Sequence, residues 1–498
     1  MERFETFIDK YFWILSIFFI LICSTTLLYI SSIKVSVWYD EAYTMAMMNH
    51  SFWGIINITS WDVHPPLYYL LLKAFISIIG ENNIFTIRIF SIIGIIAAFL
   101  LALFPLRRLF GKTTTFVFIA LLSLMPVTQY LGTEMRMYSW AMFFVLGCSV
   151  YAYDAYKRNT FFPYCMMTLF AICSVYTHNY AVIAVGFIYV LFIVAIYRKN
   201  KQIRNVIISI VICILAYSPW IPIILFQVSR VQNDYWIGAV TPRDILLLCY
   251  YFFSPKKPEY SYTIFSMPVM AAGLSIMLAL IGAIAFIIIR KHTNKPVDKT
   301  LHTGSTFVAV YLLTIITTLI ISLTIKPISI PRYTTCIFGP LLLGISIYIT
   351  ILIKDRYKVL LASAFGMLLI LTTARVFSDS AFIKNQNQIL KEVTSFFNRG
   401  DSPSYIISTP ESYPLLAEMS MMFHEKKPVI YSPHRYINYA PFDFGVIKFI
   451  PDSLRFLQLE SLVVINDSIE MRNRHIVEDK LSYPRFNLYL LKPNIKDK

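Results

Sequence analysis

Charge is what this sequence has least of. Only 14% of its 498 residues are charged, against about 25% in a typical soluble globular chain. With 57% hydrophobic residues and a mean hydropathy of +0.62, that scarcity argues against a soluble domain and for an integral membrane protein. Paired cysteine motifs are missing too. The seven cysteines (Cys23, Cys148, Cys165, Cys173, Cys213, Cys249 and Cys336) lie in or beside apolar runs with no CxxC spacing. They read as small hydrophobes, and neither a metal site nor a redox site is expected. The C-terminal region has no cysteine at all, so no disulfide framework is available there. No internal repeat or low-complexity tract is evident, which weakens an inverted-repeat transporter reading.

What is present is a succession of apolar runs of 18 residues or more along the first 377 positions, the signature of membrane-spanning helices. The first run, Phe12 to Ile33, is too long for a signal-peptide core and no small-residue cleavage site follows it, so it reads as a retained anchor. Spans are expected at 12–33, 84–104, 114–131, 137–156, 160–177, 179–197, 203–226, 263–289, 305–325, 334–353 and 358–377. The run from Pro65 to Ile79 has 15 residues and carries Lys73.

Charge placement decides whether that short run crosses. If it does not, 16 basic residues fall on one side in five short loops: Arg107/Arg108/Lys112, Lys157/Arg158, Arg198/Lys199/Lys201/Arg204, Arg290/Lys291/Lys295/Lys299 and Lys354/Arg356/Lys358. The positive-inside rule then makes that side cytoplasmic. The net charge of +16 is thereby explained by topology rather than by nucleic acid, which is not an expected partner. The run 65–79 reads as an interfacial or re-entrant helix, and eleven spans place the C-terminal region outside. The expected fold is an all-α polytopic membrane module over 1–377, with a small α/β extracytoplasmic domain over 378–498. In that domain strands are expected at Ser404–Ser408, Pro428–Tyr431, Phe444–Ile450, Ser461–Ile465 and Phe486–Leu491, with helical stretches at Tyr413–His424 and Met471–Leu481. It has no glycine-rich phosphate loop and no paired acid/base constellation. A structural or acceptor-contacting role follows.

Three outer clusters can carry chemistry. The first is Val37-Trp38-Tyr39-Asp40-Glu41-Ala42-Tyr43-Thr44, followed by Trp61-Asp62-Val63-His64-Pro65-Pro66-Leu67-Tyr68-Tyr69. Its aromatics fit an interfacial belt equally well. Asp40 and Glu41 fit either a solvated loop entering a helix or, in this nearly uncharged stretch, candidate general bases. The second cluster is Thr133-Glu134-Met135-Arg136-Met137-Tyr138, and the third Pro327-Ile328-Ser329-Ile330-Pro331-Arg332-Tyr333. An outward arginine at a span end either snorkels or pairs, as Arg136 can with Glu134, or clamps phosphate with its planar fork. Lys73 reads as a snorkelling residue. His178, alone in a tight turn, reads as structural, and the Asn57-Ile58-Thr59 sequon as accidental.

Together Asp40-Glu41, Asp62-x-His64-Pro65-Pro66-Leu67-x-Tyr69, Arg136-x-Tyr138 and Pro331-Arg332-Tyr333 resemble the dolichyl-phosphate-mannose protein mannosyltransferase superfamily. Its bacterial members include the aminoarabinose transferases of lipid A. The similarity covers roughly 1–350 and is strongest over 35–140. It implies a GT-C fold with interfacial helices in the first outer loop. It further implies inverting transfer of one sugar from a polyprenyl-phosphate donor to an acceptor lipid, glycan or protein, at the cell membrane and without a cofactor. By that resemblance Asp40 is the general base, with Glu41 and Asp62 as further acidic residues of the site. His64, Arg136, Tyr138, Arg332 and Tyr333 face the donor phosphate. His64 stands where aminoarabinose transferases carry a lysine. The Trp-Trp-Asp-type signature of oligosaccharyltransferases is absent, which argues against en bloc glycan transfer and its metal. A lipid-linked glycan flippase, or a scaffold binding through 378–498, is the alternative. The flippase needs charges along a path, and the centres of the expected spans are nearly uncharged, with Asp154, near the inner end of its span, as an exception.

Overall fold

The computed structural model describes residues 2–199, 203–233, 237–253, 299–354, 358–398, 403–423, 425–433, 440–462 and 475–494. Helices dominate up to Phe397, and strands appear only after it. The helices are α1 (Glu2–Ile33), α2 (Tyr39–Met47), α3 (Phe52–Trp61), α4 (Leu67–Ile79), α5 (Ile84–Leu101), α6 (Arg107–Leu124), α7 (Pro126–Thr133), α8 (Tyr138–Arg158) and α9 (Phe161–Val175). There follow α10 (Asn179–Tyr197), α11 (Arg204–Tyr217), α12 (Ile221–Asn233), α13 (Pro242–Tyr250), α14 (Lys299–Thr324), α15 (Phe338–Lys354), α16 (Lys358–Phe397) and α17 (Tyr413–Met422).

Seven helices among the described residues are long and apolar enough to cross a membrane, so the chain is a multi-pass membrane protein. Eleven spans were expected, and the difference has identifiable sources. Two expected spans share one helical stretch, Ile84–Leu124, interrupted where Gly111 adopts φ 81°, a backbone state that costs a residue with a Cβ. α8 ends in Asp154, Lys157 and Arg158 and is not among the seven, and α9 has 15 residues. The expected span 263–289 and the basic residues 290–295 lie outside the described residues. α4 has 13 residues, about 20 Å at 1.5 Å per residue, short of a hydrocarbon core of about 30 Å.

The chain divides into two compact units. The first comprises residues 1–31, 59–75 and 88–378. In it α8 is the central helix, with 15 buried residues that include Ala141, Val145, Leu146 and Cys148. Small residues let neighbours approach. A Cβ on Gly344 of α15 would lie 2.8 Å from the carbonyl oxygen of Gly304 on α14, the close backbone contact by which helices associate when lipid removes the hydrophobic drive. The apolar side chains left exposed on these helices, such as Ile14, Leu21, Leu215 and Ile320, suit contact with lipid.

The second unit comprises residues 32–58, 76–87 and 379–498, so the first outer segment groups with the C-terminal region. Its sheet has six strands, β1 (Tyr405–Ser408), β2 (Lys427–Tyr431), β3 (Gly445–Ile447), β4 (Phe456–Ser461), β5 (His475–Ser482) and β6 (Phe486–Pro493). Their order is β3-β2-β1-β4-β6-β5. β1 to β4 pair in parallel, while β6 runs antiparallel to both β4 and β5. Val393, Phe396 and Phe397 of α16 pack with Ile406, Leu457, Leu459 and Leu488 of the sheet. The small sheet domain expected from the sequence is present, with one correction. Of the strand expected at Ser461–Ile465, Ser461 closes β4, and 463–465 lie outside the described residues. The stretch expected to be helical at Met471–Leu481 is instead the strand β5 from His475 on. Its Glu478, Asp479 and Lys480 belong to a strand at the sheet edge with a register shift between Val477 and Asp479, where charged side chains protect the open edge.

Candidate active site

Four short connections meet in the first unit. They are 62–66 before α4, 134–137 before α8, 176–178 before α10 and 328–333 after α14. Proline shapes two of them. Pro65 and Pro66 supply no N–H and cannot prolong α3, and Pro66 stands at the entry to α4, where its fixed φ suits a helix start. Pro331 opens the 3-10 turn Pro331–Ile337 in the same way. Hydrogen bonds lock the connections together. The Leu67 N–H donates to Tyr176 O at 3.0 Å, and Asn179 Nδ2 donates to Val63 O at 2.8 Å. The Tyr180 hydroxyl donates to Ile328 O at 2.8 Å.

The side chains they carry form one polar cluster. The His64 ring lies 5.6 Å from His178 and 6.0 Å from Tyr333. His178 lies 5.2 Å from Tyr333 and 6.0 Å from Tyr138. Tyr138 continues to Tyr130 at 6.0 Å, and Tyr130 to Tyr251 at 6.2 Å. Arg136, only 4% exposed, donates Nη1 to the Tyr69 hydroxyl at 2.8 Å. Arg332 is half-buried, with its guanidinium over the Tyr333 ring.

Both imidazoles are held neutral. Burial pushes His64 well below the usual histidine range, and the charges of Arg136 and Arg332 add to it. Burial, Arg136 and Arg332 likewise push His178 down to about 3. Two guanidiniums beside neutral imidazoles and tyrosines make a setting that favours an anion, since planar forks match phosphate oxygens in pairs.

The acidic residues divide. Asp62 follows α3 in the first unit and is half-buried. Asp40 and Glu41 belong to the second unit, in the first turn of α2, where carboxylates complement the helix dipole. The solvated-loop alternative does not hold for Glu41. It is fully buried and forms an ion pair with Lys34 at 3.2 Å, while Asp40 is half-buried. Within the same unit α2 is seated on α17. The Tyr39 N–H donates to Glu418 Oε1 at 3.0 Å, and the Tyr39 and Tyr413 hydroxyls are 3.3 Å apart.

The cluster also contains residues passed over in the sequence. Tyr69 stands inside the resembling motif but was given no role. Outside the contacts described for the cluster, Arg88 is fully buried in α5, hidden in a run that reads as unbroken apolar helix. His178 had been assigned to a structural turn, and no local pattern separates that turn from a site.

The opposite end of the same helices is built differently. Arg108 donates to Asp154 at 2.7 Å and Arg158 Nε to the same carboxylate at 2.7 Å, while Lys112 approaches Asp9 at 3.6 Å. α8 joins the two ends, from Tyr138 to Arg158, a rise of roughly 30 Å.

No curated protein matches the chain by sequence. Residues 63–223 match the family described as dolichyl-phosphate-mannose-protein mannosyltransferase. Among solved structures, ArnT from Cupriavidus metallidurans bound to undecaprenyl phosphate superposes with a TM-score of 0.58 at 9% identity, over 96% of this chain and 97% of that one. The archaeal oligosaccharyltransferase AglB from Archaeoglobus fulgidus, in complex with an inhibitory peptide and a dolichol-phosphate, gives 0.49 at 12% identity, over 84% of this chain and 64% of that one. The resemblance read from the motifs is thus borne out: over 63–223 the chain carries the signature of the dolichyl-phosphate-mannose-protein mannosyltransferase family, on the GT-C fold of polyprenyl-phosphate-sugar glycosyltransferases.

Proposed function

We propose that this protein transfers a single sugar, with inversion, from a polyprenyl-phosphate donor to a hydroxyl or phosphate of an acceptor on the extracytoplasmic face of the cell membrane. The observation that carries the proposal is the convergence of Arg136, Arg332, His64, Tyr138 and Tyr333 at the ends of apolar helices. In such a transfer the leaving group is a phosphate whose charge grows as the anomeric bond breaks. Preorganised cations stabilise that charge most in the transition state, where it is largest. A lipid donor enters sideways from the bilayer, so its phosphate belongs at span ends. The basic cluster at the far end of α8 supports a cytoplasmic location for that end and an outer location for the site.

The acceptor hydroxyl needs a base within hydrogen-bond reach, and we assign Asp40 that role, with Asp62 as a second carboxylate for the acceptor. Glu41, tied to Lys34, serves in this reading to fix the helix that carries Asp40. The 378–498 region contributes in the same way, through Glu418 at the start of α2. The test is Asp40→Asn in the full-length protein, assayed with polyprenyl-phosphate sugar. Transfer is expected to fall by about 10²–10⁴-fold, the contribution of one general base, with insertion and polyprenyl-phosphate binding retained. Undiminished transfer removes the base assignment. Lipid movement across reconstituted vesicles with no glycosidic bond formed replaces the enzyme with a flippase.

A further inference from the structure

His178 is more than a turn residue, and the evidence is the state of its two nitrogens. It is the N-cap of α10, and its Nδ1 accepts the Tyr180 backbone N–H at 3.1 Å. An accepting Nδ1 carries no proton, so in the neutral ring the proton sits on Nε2. That Nε2 is buried and has no hydrogen-bond partner among the described residues, in a side chain only 1% exposed. A buried N–H with no acceptor is costly, of the order of a lost hydrogen bond, and calls for a ligand or a reason. Across the ring contact, Nδ1 of His64 is likewise buried without a partner among the described residues. Both imidazoles feel the charges of Arg136 and Arg332. The unsatisfied donor therefore stands where two cations already favour an anion.

We infer that His178 is a direct ligand of the donor lipid's phosphate. Its Nε2–H, oriented by the Tyr180 bond at Nδ1, donates to a phosphate oxygen held by the two guanidiniums. This rests on the donor-phosphate reading above and adds to it a residue that supplies a neutral hydrogen bond. The ligand class is a phosphate ester of a polyprenol. The capping role and the ligand role are separable, because the two side-chain amides mimic different nitrogens of the ring. Asparagine places its oxygen near Nδ1 and keeps the cap, asparagine being a preferred N-cap residue. Glutamine carries an N–H toward the Nε2 position and gives up the cap.

The experiment measures undecaprenyl phosphate binding to the purified full-length parent and to the His178→Asn, His178→Gln and Arg332→Ala variants. Thermal unfolding without lipid reports whether each is folded. His178→Asn is expected to weaken binding by about tenfold or more, the loss of one hydrogen bond to a charged group, and His178→Gln by about threefold or less. Parent-like binding by a folded His178→Asn, or a folded His178→Gln as damaged as it, overturns the assignment; where one variant does not fold, the other decides. Weakened Arg332→Ala with unaffected His178→Asn rejects His178 and leaves the phosphate reading standing. No binding by the parent, or full binding by Arg332→Ala, rejects that reading and the assignment with it. Should neither His178 variant fold, a structure of the parent with undecaprenyl phosphate decides, since a phosphate beyond about 3.2 Å from Nε2 overturns the assignment.

Discussion

The two ends of α8 handle arginine in opposite ways. At the Arg158 end the cations are about half-exposed, with side-chain exposures of 50% for Arg108 and 41% for Arg158, and both are spent on the fully buried carboxylate of Asp154. At the Tyr138 end Arg136 is buried, gives Nη1 to the neutral hydroxyl of Tyr69, and stands beside neutral histidines. The first arrangement closes on itself and needs nothing further. The second is the one proposed above to receive the donor phosphate. In the proposed reading an ion pair that serves the fold thus stands at one end of α8, and cations that serve a ligand at the other.

Replacing the cations at the two ends tests that contrast most strongly. Arg332→Ala and Arg136→Ala are each expected to lower transfer by about 10²–10³-fold, the range for removing one preorganised transition-state donor, or about 2.7–4 kcal/mol. Arg108→Ala is expected to leave transfer per folded molecule within about twofold, because it lies at the far end of α8 from the proposed site and Asp154 keeps its pair with Arg158. Assays of folded, detergent-purified protein decide it, and equal losses at both ends would abolish the distinction. Next in size is Asp154→Ala. It removes the acceptor of two arginines and is expected to cost about 1.5–3 kcal/mol of stability, read as a lower unfolding temperature with the turnover of surviving molecules unchanged. A turnover defect at full stability would move Asp154 into the catalytic account.

Much of this was legible in the sequence because membranes impose coarse rules. Apolar runs and the basic loops follow from hydropathy and the positive-inside rule, and the basic residues Arg108, Lys112 and Arg158 do gather at one end with Asp9 and Asp154. Arg136, Tyr138, Arg332 and Tyr333 were visible because polar residues at span ends stand out against an apolar background. His178 was not, since the same turn serves a cap or a ligand and only the unsatisfied Nε2 separates them. Nor was the grouping of 32–58 with the C-terminal region, because it depends on single pairings such as Tyr39 with Glu418, more than 370 positions apart. β5 misled for a related reason: Glu478-Asp479-Lys480 carries no period that separates an exposed helical face from an exposed edge strand.

The smallest expected effect concerns pH and separates the two ends once more, since among the described residues only the Tyr138 end brings two buried histidines together. In the unfolded chain both protonate near 6.5, whereas in the fold His64 stays neutral well below that value and His178 down to about 3. Above pH 6.5 neither state binds the protons, so neither histidine gives stability a slope. Below it the unfolded chain takes them up first and gains relative to the fold. Stability therefore falls on acidification for both, and for His178 the slope approaches about 1.4 kcal/mol per pH unit, a loss of about 1.4 kcal/mol between pH 7.5 and 5.5. Thermal unfolding in detergent at pH 7.5 and 5.5, compared between the parent and His178→Asn, isolates one of the two. The variant is expected to lose less on acidification. An equal loss would mean that His178 already holds its proton in the fold, and a protonated ring whose Nδ1 accepts from Tyr180 is not possible.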